Sequence, residues 1–193
     1  MREVVLIRHG LTQWNIDRRI QGQTDIPLCE QGIEQVLSWR FQSHYLNYQW
    51  YSSPLIRTCE TARLMGIDAP TKADDLIEMD WGEWTGRHLK SLRNELGQAM
   101  EENENRGLDF QPPGGESPRQ VRERLAAWLK SLPHSDKPVF IVTHKGVIRS
   151  AISLATGWDL KCEFGEKLER DALHRFYLND STFSLDGLNF PLL

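Results

Sequence analysis

Val139-Phe140-Ile141-Val142-Thr143-His144 decides the fold. Four apolar residues in unbroken succession, with no polar alternation, describe a strand covered on both faces, as in a parallel sheet between helix layers. Near the start of the chain Val4-Val5-Leu6-Ile7 repeats the pattern and runs into Arg8-His9-Gly10. Each strand delivers a histidine at its carboxyl end, where open α/β sheets bind their ligands. An arginine beside the first histidine points to an anionic ligand, above all a phosphate.

Working outward, Glu30 to Phe41 sets Ile33, Val36, Leu37 and Phe41 at helical spacing. Tyr48 to Ser52 reads as a strand, and Ser53-Pro54 as an N-cap followed by proline at the first helical position. Leu55, Cys59 and Ala62 continue that helix on one face. Ser117-Pro118-Arg119-Gln120 is a capping box, after which Val121, Leu125, Trp128 and Leu132 mark one face of an amphipathic helix. Val147 to Ala155 predicts a helix stopped at Gly157, and His174 to Leu178 a further strand. Alternating strand and helix gives a three-layer α/β/α sandwich with a largely parallel central sheet.

The middle of the chain departs from this rhythm. A helix is expected around residues 87–103, and Gln111-Pro112-Pro113-Gly114-Gly115 then breaks the pattern. Residues 85–115 read as a cap inserted over the site within a single domain spanning 1–193, or else as an exposed helix and loop.

Composition narrows the function. A net charge of −4 argues against a general nucleic-acid binder, which needs clustered Lys and Arg. Cys29, Cys59 and Cys162 form no CxxC pair, so reduced thiols and a cytoplasmic location are expected. No segment has the length of a signal peptide or a membrane span. No His/Glu spacing suggests a metal site, and His44, His88, His134 and His174 read as structural or surface residues.

Phosphoryl transfer needs an aligned, unprotonated nucleophile, fixed donors for the phosphoryl oxygens and a proton for the leaving oxygen. His9 is the candidate nucleophile, since an imidazole of pKa about 6.5 is largely neutral near pH 7 and adjacent guanidinium groups increase that fraction. Arg8 and Arg57 are the candidate clamps, Arg57 lying one turn inside a helix whose N-terminus itself favours anions.

Arg8-His9-Gly10 with Thr12 and Asn15, then Gln21-Gly22 and Asp25-Ile26-Pro27-Leu28, resembles the histidine phosphatase superfamily in its phosphoglycerate mutase-like branch. Ser52-Ser53-Pro54 with Arg57, Thr61 and Ala62, Leu76-Ile77-Glu78 with Gly82 and Gly86, Gly114-Gly115-Glu116-Ser117, and Val142-Thr143-His144 with Gly146 and Arg149 continue the likeness in order. The resemblance implies a phosphohistidine on His9, with Arg8, Arg57 and His144 holding phosphoryl oxygens, His144 as a charged donor. Asn15 would add a hydrogen bond, and Gln21 and Gly22 would border the pocket. Glu78 would be the general acid, with Asp80 and Glu83 nearby as competitors. No metal or cofactor is implied, and the partner is a small phosphorylated substrate.

The sequence departs from the family pattern at Thr85, where a glutamate is common, and at Lys145, where a small residue is common. Lys145 either adds charge at the pocket rim or points to solvent. Chain length and the Gly-Gly-Glu-Ser motif resemble small phosphatases such as α-ribazole phosphatases. A cofactor-dependent phosphoglycerate mutase and a catalytically idle phosphate-binding module are the alternatives.

Overall fold

The computed structural model describes residues 1–179 and 182–192. In chain order the elements are β1 (Arg2–Arg8), α1 (Gln13–Ile16), α2 (Glu30–Ser38), β2 (Gln49–Ser52), α3 (Ile56–Leu64), β3 (Thr71–Lys72), α4 (Leu89–Leu96), α5 (Gln98–Glu104), α6 (Pro118–Ser131), β4 (Val139–Thr143), α7 (Lys145–Thr156), β5 (Ala172–Asn179) and β6 (Thr182–Pro191). The strands form one sheet in the order β3-β2-β4-β1-β5-β6. The pairings from β3 through β1 are parallel, whereas β1–β5 and β5–β6 are antiparallel.

The unbroken apolar runs follow from burial on both faces. Val4, Leu6, Val139 and Ile141 pack with Val121, Leu125 and Trp128 of α6 and Val147, Ile148 and Ile152 of α7. The alternate residues Val5, Ile7, Phe140 and Val142 pack with Val36 of α2 and Ala62 of α3. Sheet and two helical layers are therefore those expected. Full burial of each such Val, Leu or Ile contributes ~1.5–3 kcal/mol, which fixes the register of the two strands that matter.

That register sets the site. Arg8 lies beside Thr143 in the parallel ladder, so His9 and His144 leave the sheet together, tied by a 3.0 Å bond from His9 N–H to the Thr143 carbonyl. Ser53 leaves the end of β2 in the same layer, its N–H donating to the Val142 carbonyl at 3.1 Å.

Several local expectations change. Ser53-Pro54 does not start a helix: α3 begins at Ile56, and no side chain caps it. The Ser53 hydroxyl is drawn instead to His144. On α2 the buried stripe centres on Gly32 and Val36, leaving Ile33 and Leu37, a hundred degrees round the helix, exposed. The helix expected over 87–103 is two short helices, because Gly97 at φ +51° breaks it between α4 and α5. Thr182–Pro191 carries no strand expectation, since a bulge around Arg175 and Gly187 interrupts its alternation. The Ser117 box is present as read: its hydroxyl accepts from Gln120 N–H, and the Gln120 side chain accepts from Ser117 N–H.

The segment between β3 and α6 leaves the sheet and forms its own small apolar cluster. Trp84, Leu92 and Met100 are its buried centre, with Ile20, Trp81, Leu89 and Phe110 around them.

Candidate active site

His9 is almost fully buried. Its Nδ1 lies 2.7 Å from the Gly10 carbonyl, which can only accept, so Nδ1 carries the proton and Nε2 carries the lone pair. Burial, reinforced by Arg8, Arg57 and Arg170, pushes the His9 pKa well below the ordinary histidine value. The ring is therefore neutral at pH 7, as a nucleophile must be.

His144 is wholly buried, and its ring centre is 5.2 Å from that of His9. Its Nε2 lies 2.8 Å from Ser53 Oγ, and its Nδ1 has no partner. Ser53 Oγ also accepts from Leu55 N–H at 3.3 Å. With the Ser53 hydroxyl donating to Nε2, Nδ1 is the N–H bearing nitrogen, a buried donor with nothing to receive it. Burial first, then Arg57, His9 and Arg8, lower the His144 pKa well below the usual value. Burial thus disfavours the charged form expected from the resemblance.

Arg57 is wholly buried. Its Nη1 donates to the Thr24 carbonyl at 2.8 Å and its Nη2 to the Gly22 carbonyl at 2.9 Å, while Nε has no partner. One guanidinium therefore anchors the 22–24 loop and keeps a donor free. Arg8 likewise has a buried Nε without a partner, and burial beside Arg170 and Arg57 brings its pKa down to about 9, still charged at pH 7. Gln21 is buried with an unpartnered Oε1, next to Gly22. Asn15 spends its Oδ1 on the Thr12 N–H at 3.2 Å within a capping box, leaving its Nδ2 group to donate elsewhere.

Glu78 sits across this space. Its Oε1 accepts from Met79 N–H at 2.9 Å and from Gly146 N–H at 3.1 Å, which parks the carboxylate on the first turn of α7 beside His144. The fit is tight: a Cβ at Gly146 would lie 2.3 Å from Glu78 Oε1. Asp80, one competitor, turns its Oδ1 onto its own loop to accept from Gly82 N–H.

The sequence reading missed three contributors. Arg124 on α6 donates to the Ile77 carbonyl at 2.7 Å and to Glu116, and Glu116 accepts from Asp80 N–H at 2.9 Å. The Gly-Gly-Glu-Ser motif is thereby a strut for the loop that carries Glu78. Ser53 holds the His144 ring through Nε2 at 2.8 Å. Arg170, on the loop before β5, reaches the His9 carbonyl at 3.4 Å and Asn15 Oδ1 at 3.5 Å. Ser53 and Glu116 stand in motifs that the sequence shows, whereas Arg124 and Arg170 stand in none.

The site therefore brings together two buried imidazoles, three guanidinium groups and one carboxyl. Among the described residues no salt bridge neutralises Arg8, Arg57 or Arg170. Buried donors and cations without counter-charges describe a place for a multiply charged oxyanion. No group of three His, Cys, Asp or Glu among the described residues is placed to hold a metal ion.

Comparison with known proteins agrees with this chemistry. Residues 4–191 match the model of the histidine phosphatase superfamily (branch 1). A probable phosphoglycerate mutase GpmB of Citrobacter koseri is 32% identical over 195 residues, covering 97% of this chain and 90% of the relative. The phosphoserine phosphatase of Entamoeba histolytica, solved with 3-phosphoglyceric acid, superposes with a TM-score of 0.81 at 26% identity, covering 98% of this chain and 97% of the other. A mycobacterial glucosyl-3-phosphoglycerate phosphatase superposes with a TM-score of 0.78 at 25% identity, covering 98% of this chain and all (100%) of the other.

Proposed function

The chain belongs to the histidine phosphatase superfamily, branch 1, and from that premise we propose that it is a phosphomonoesterase working through a phosphohistidine on His9. The observation that supports this reading most is the His9 ring: fixed by Gly10, neutral, and aiming an unprotonated Nε2 into a cluster of unpaired cations.

The steps follow from the atoms. His9 Nε2 attacks phosphorus as the bond to the ester oxygen breaks, and the Glu78 carboxyl gives its proton to that oxygen. Arg8, Arg57 through its free Nε, the His144 Nδ1–H and Asn15 Nδ2 hold the phosphoryl oxygens, with Gln21 and Gly22 bordering them. Water then attacks phosphorus, the phosphorus–nitrogen bond breaks, and Glu78 takes the water proton. No step requires His144 to carry charge, because the guanidinium groups supply it.

A mutase reading has a specific ground, the probable phosphoglycerate mutase at 32% identity. The two differ in where the phosphoryl group goes after His9. Purified protein should release phosphate from p-nitrophenyl phosphate and from a panel including phosphoserine, α-ribazole 5′-phosphate and glucosyl-3-phosphoglycerate. It should not interconvert 3- and 2-phosphoglycerate in the presence of bisphosphoglycerate. Interconversion without phosphate release would replace hydrolysis with transfer, and inertness toward every ester would leave only phosphate binding.

A further inference from the structure

Glu78 and Met79 lie between two gripped residues, Ile77 and Asp80. On one side Arg124 Nη2 donates to the Ile77 carbonyl at 2.7 Å, and Nη1 of the same guanidinium donates to the Asp75 carbonyl. On the other side Glu116 Oε2 accepts from Asp80 N–H at 2.9 Å, and Glu116 N–H donates to the Asp80 carbonyl at 2.9 Å. The two grips are one unit, because Arg124 forks onto Glu116 through Nε at 3.1 Å and Nη2 at 3.2 Å. Their side chains are only 16% and 24% exposed, against 41% and 51% for the Arg119–Asp109 pair at the start of the same helix. An open pair of that second kind contributes little, whereas a shielded, forked pair holds its geometry.

The backbone closes in around the same point. Glu83 N–H donates to the Pro113 carbonyl at 3.0 Å, and a Cβ at Gly115 would lie 2.6 Å from the Asp80 carbonyl oxygen. Gln23 adds a third hold: its Nε2 donates to the Glu78 carbonyl at 3.1 Å, from the loop that Arg57 anchors. The Glu78 carboxyl itself is bonded to Met79 and Gly146 N–H, not to Arg124 or Glu116. The pair therefore acts on the chain that carries the acid and takes no part in the chemistry derived above.

We propose that Arg124 and Glu116 are positioning residues for the general acid. By gripping the chain on both sides of Glu78 they set where its carboxyl stands against the leaving oxygen. This role rests on the phosphatase reading, with Glu78 as the proton donor. Misplacing a reacting group by about 1 Å costs about a hundredfold in rate. The cost falls on esters whose leaving oxygen needs a proton, and spares those whose leaving group departs as an anion.

The test compares phenyl phosphate with p-nitrophenyl phosphate, two aryl esters of similar shape. Phenol has a pKa near that of tyrosine, about 10, and needs the proton far more than p-nitrophenol does. Arg124→Gln should lower kcat/KM for phenyl phosphate about tenfold or more, and for p-nitrophenyl phosphate about threefold or less. Glu116→Gln keeps an acceptor for Asp80 N–H but loses the ion pair, and should shift the same ratio in the same direction by less. Where Arg124→Gln does not fold, Glu116→Gln decides by that ratio. In a Glu78→Gln background, Arg124→Gln should shift the ratio no further, since no proton remains to be placed. A strut that serves the fold alone would depress both esters equally and would lower the Glu78→Gln protein as much as the wild type. Either result, or an unchanged ratio in both single variants, would overturn the positioning role. Wild-type protein inert toward both esters would strike the phosphatase reading itself, so the two failures are told apart.

Discussion

The cradle around His9 and the segment over residues 85–115 are built in opposite ways. In the cradle, His9, Arg57, Ser53 and His144 are buried, and backbone carbonyls, a serine and helix N–H groups hold them in place. In the inserted segment, one small cluster around Trp84, Leu92 and Met100 is surrounded by exposed ion pairs such as Arg93–Glu104 and Arg87–Glu95. The first region is held by buried bonds at the sheet edge, whereas the second keeps its own apolar cluster and ties back through Ile20 N–H to the Arg87 carbonyl and Leu108 N–H to the Asp159 carbonyl.

That contrast is broken most severely at Arg57. Arg57→Ala removes a phosphoryl donor and also strands the Gly22 and Thr24 carbonyls, so kcat/KM should fall about a hundredfold or more, and stability by about 2–4 kcal/mol. Steady-state kinetics and chemical denaturation read the two effects separately. A loss of activity with unchanged stability would mean that Arg57 does not anchor its loop.

Gly146→Ala tests the tight seat of Glu78. A Cβ 2.3 Å from Oε1 must displace the carboxylate, and losing a placed general acid lowers kcat by about a hundredfold or more for alkyl phosphates. p-Nitrophenolate leaves without a proton, so hydrolysis of its ester should suffer far less. Equal losses on both classes of ester would remove Glu78 from the acid role.

Acid titration sharpens the comparison through the histidines. Burial lowers the His174 pKa to about 4, and His9 and His144 lie well below the ordinary value. Between about pH 6.5 and pH 4 the unfolded chain binds more protons than the folded one, so stability rises with pH across that window and is fully present above it. His174 alone accounts for a loss on the order of 3 kcal/mol by pH 4. Urea midpoints at stepped pH should show this decline, while kcat/KM should show no acid limb at the usual histidine pKa. A rate loss centred near pH 6.5 would contradict a neutral, depressed His9.

The smallest effect belongs to the inserted segment. Arg93→Ala breaks an exposed pair with Glu104, worth about 0–1 kcal/mol, and should leave hydrolysis of p-nitrophenyl phosphate within about twofold of wild type. A large loss would show that this segment is coupled to the cradle.

How much of this was legible follows from which interactions are local. Val4–Ile7 and Val139–Thr143 announced themselves because a strand buried on both faces must be apolar throughout. Their histidines were visible because the residue after such a run emerges at the ligand edge. The Ser117–Gln120 box was legible because a capping box closes within four residues. Ser53 was misread as a cap because its true partner, His144, lies 91 positions away. Arg170 has no motif, since its place depends on Asn189 and a bulged hairpin far from it in sequence. Arg124 was hidden for the same reason, since a strut between a loop and a helix leaves no periodic trace, and Glu116 showed only as a member of the Gly-Gly-Glu-Ser motif.

Rapid acid-free quenching of the protein with a phosphate monoester, followed by mass spectrometry of the His9 peptide, tests the central claim most directly. An increment of one phosphoryl group on His9, labile in acid, stable in base and absent from His9→Ala, is the result the structure predicts. Efficient phosphate release with His9 unmodified at every time point would contradict it, and would require water to attack the ester without a covalent intermediate.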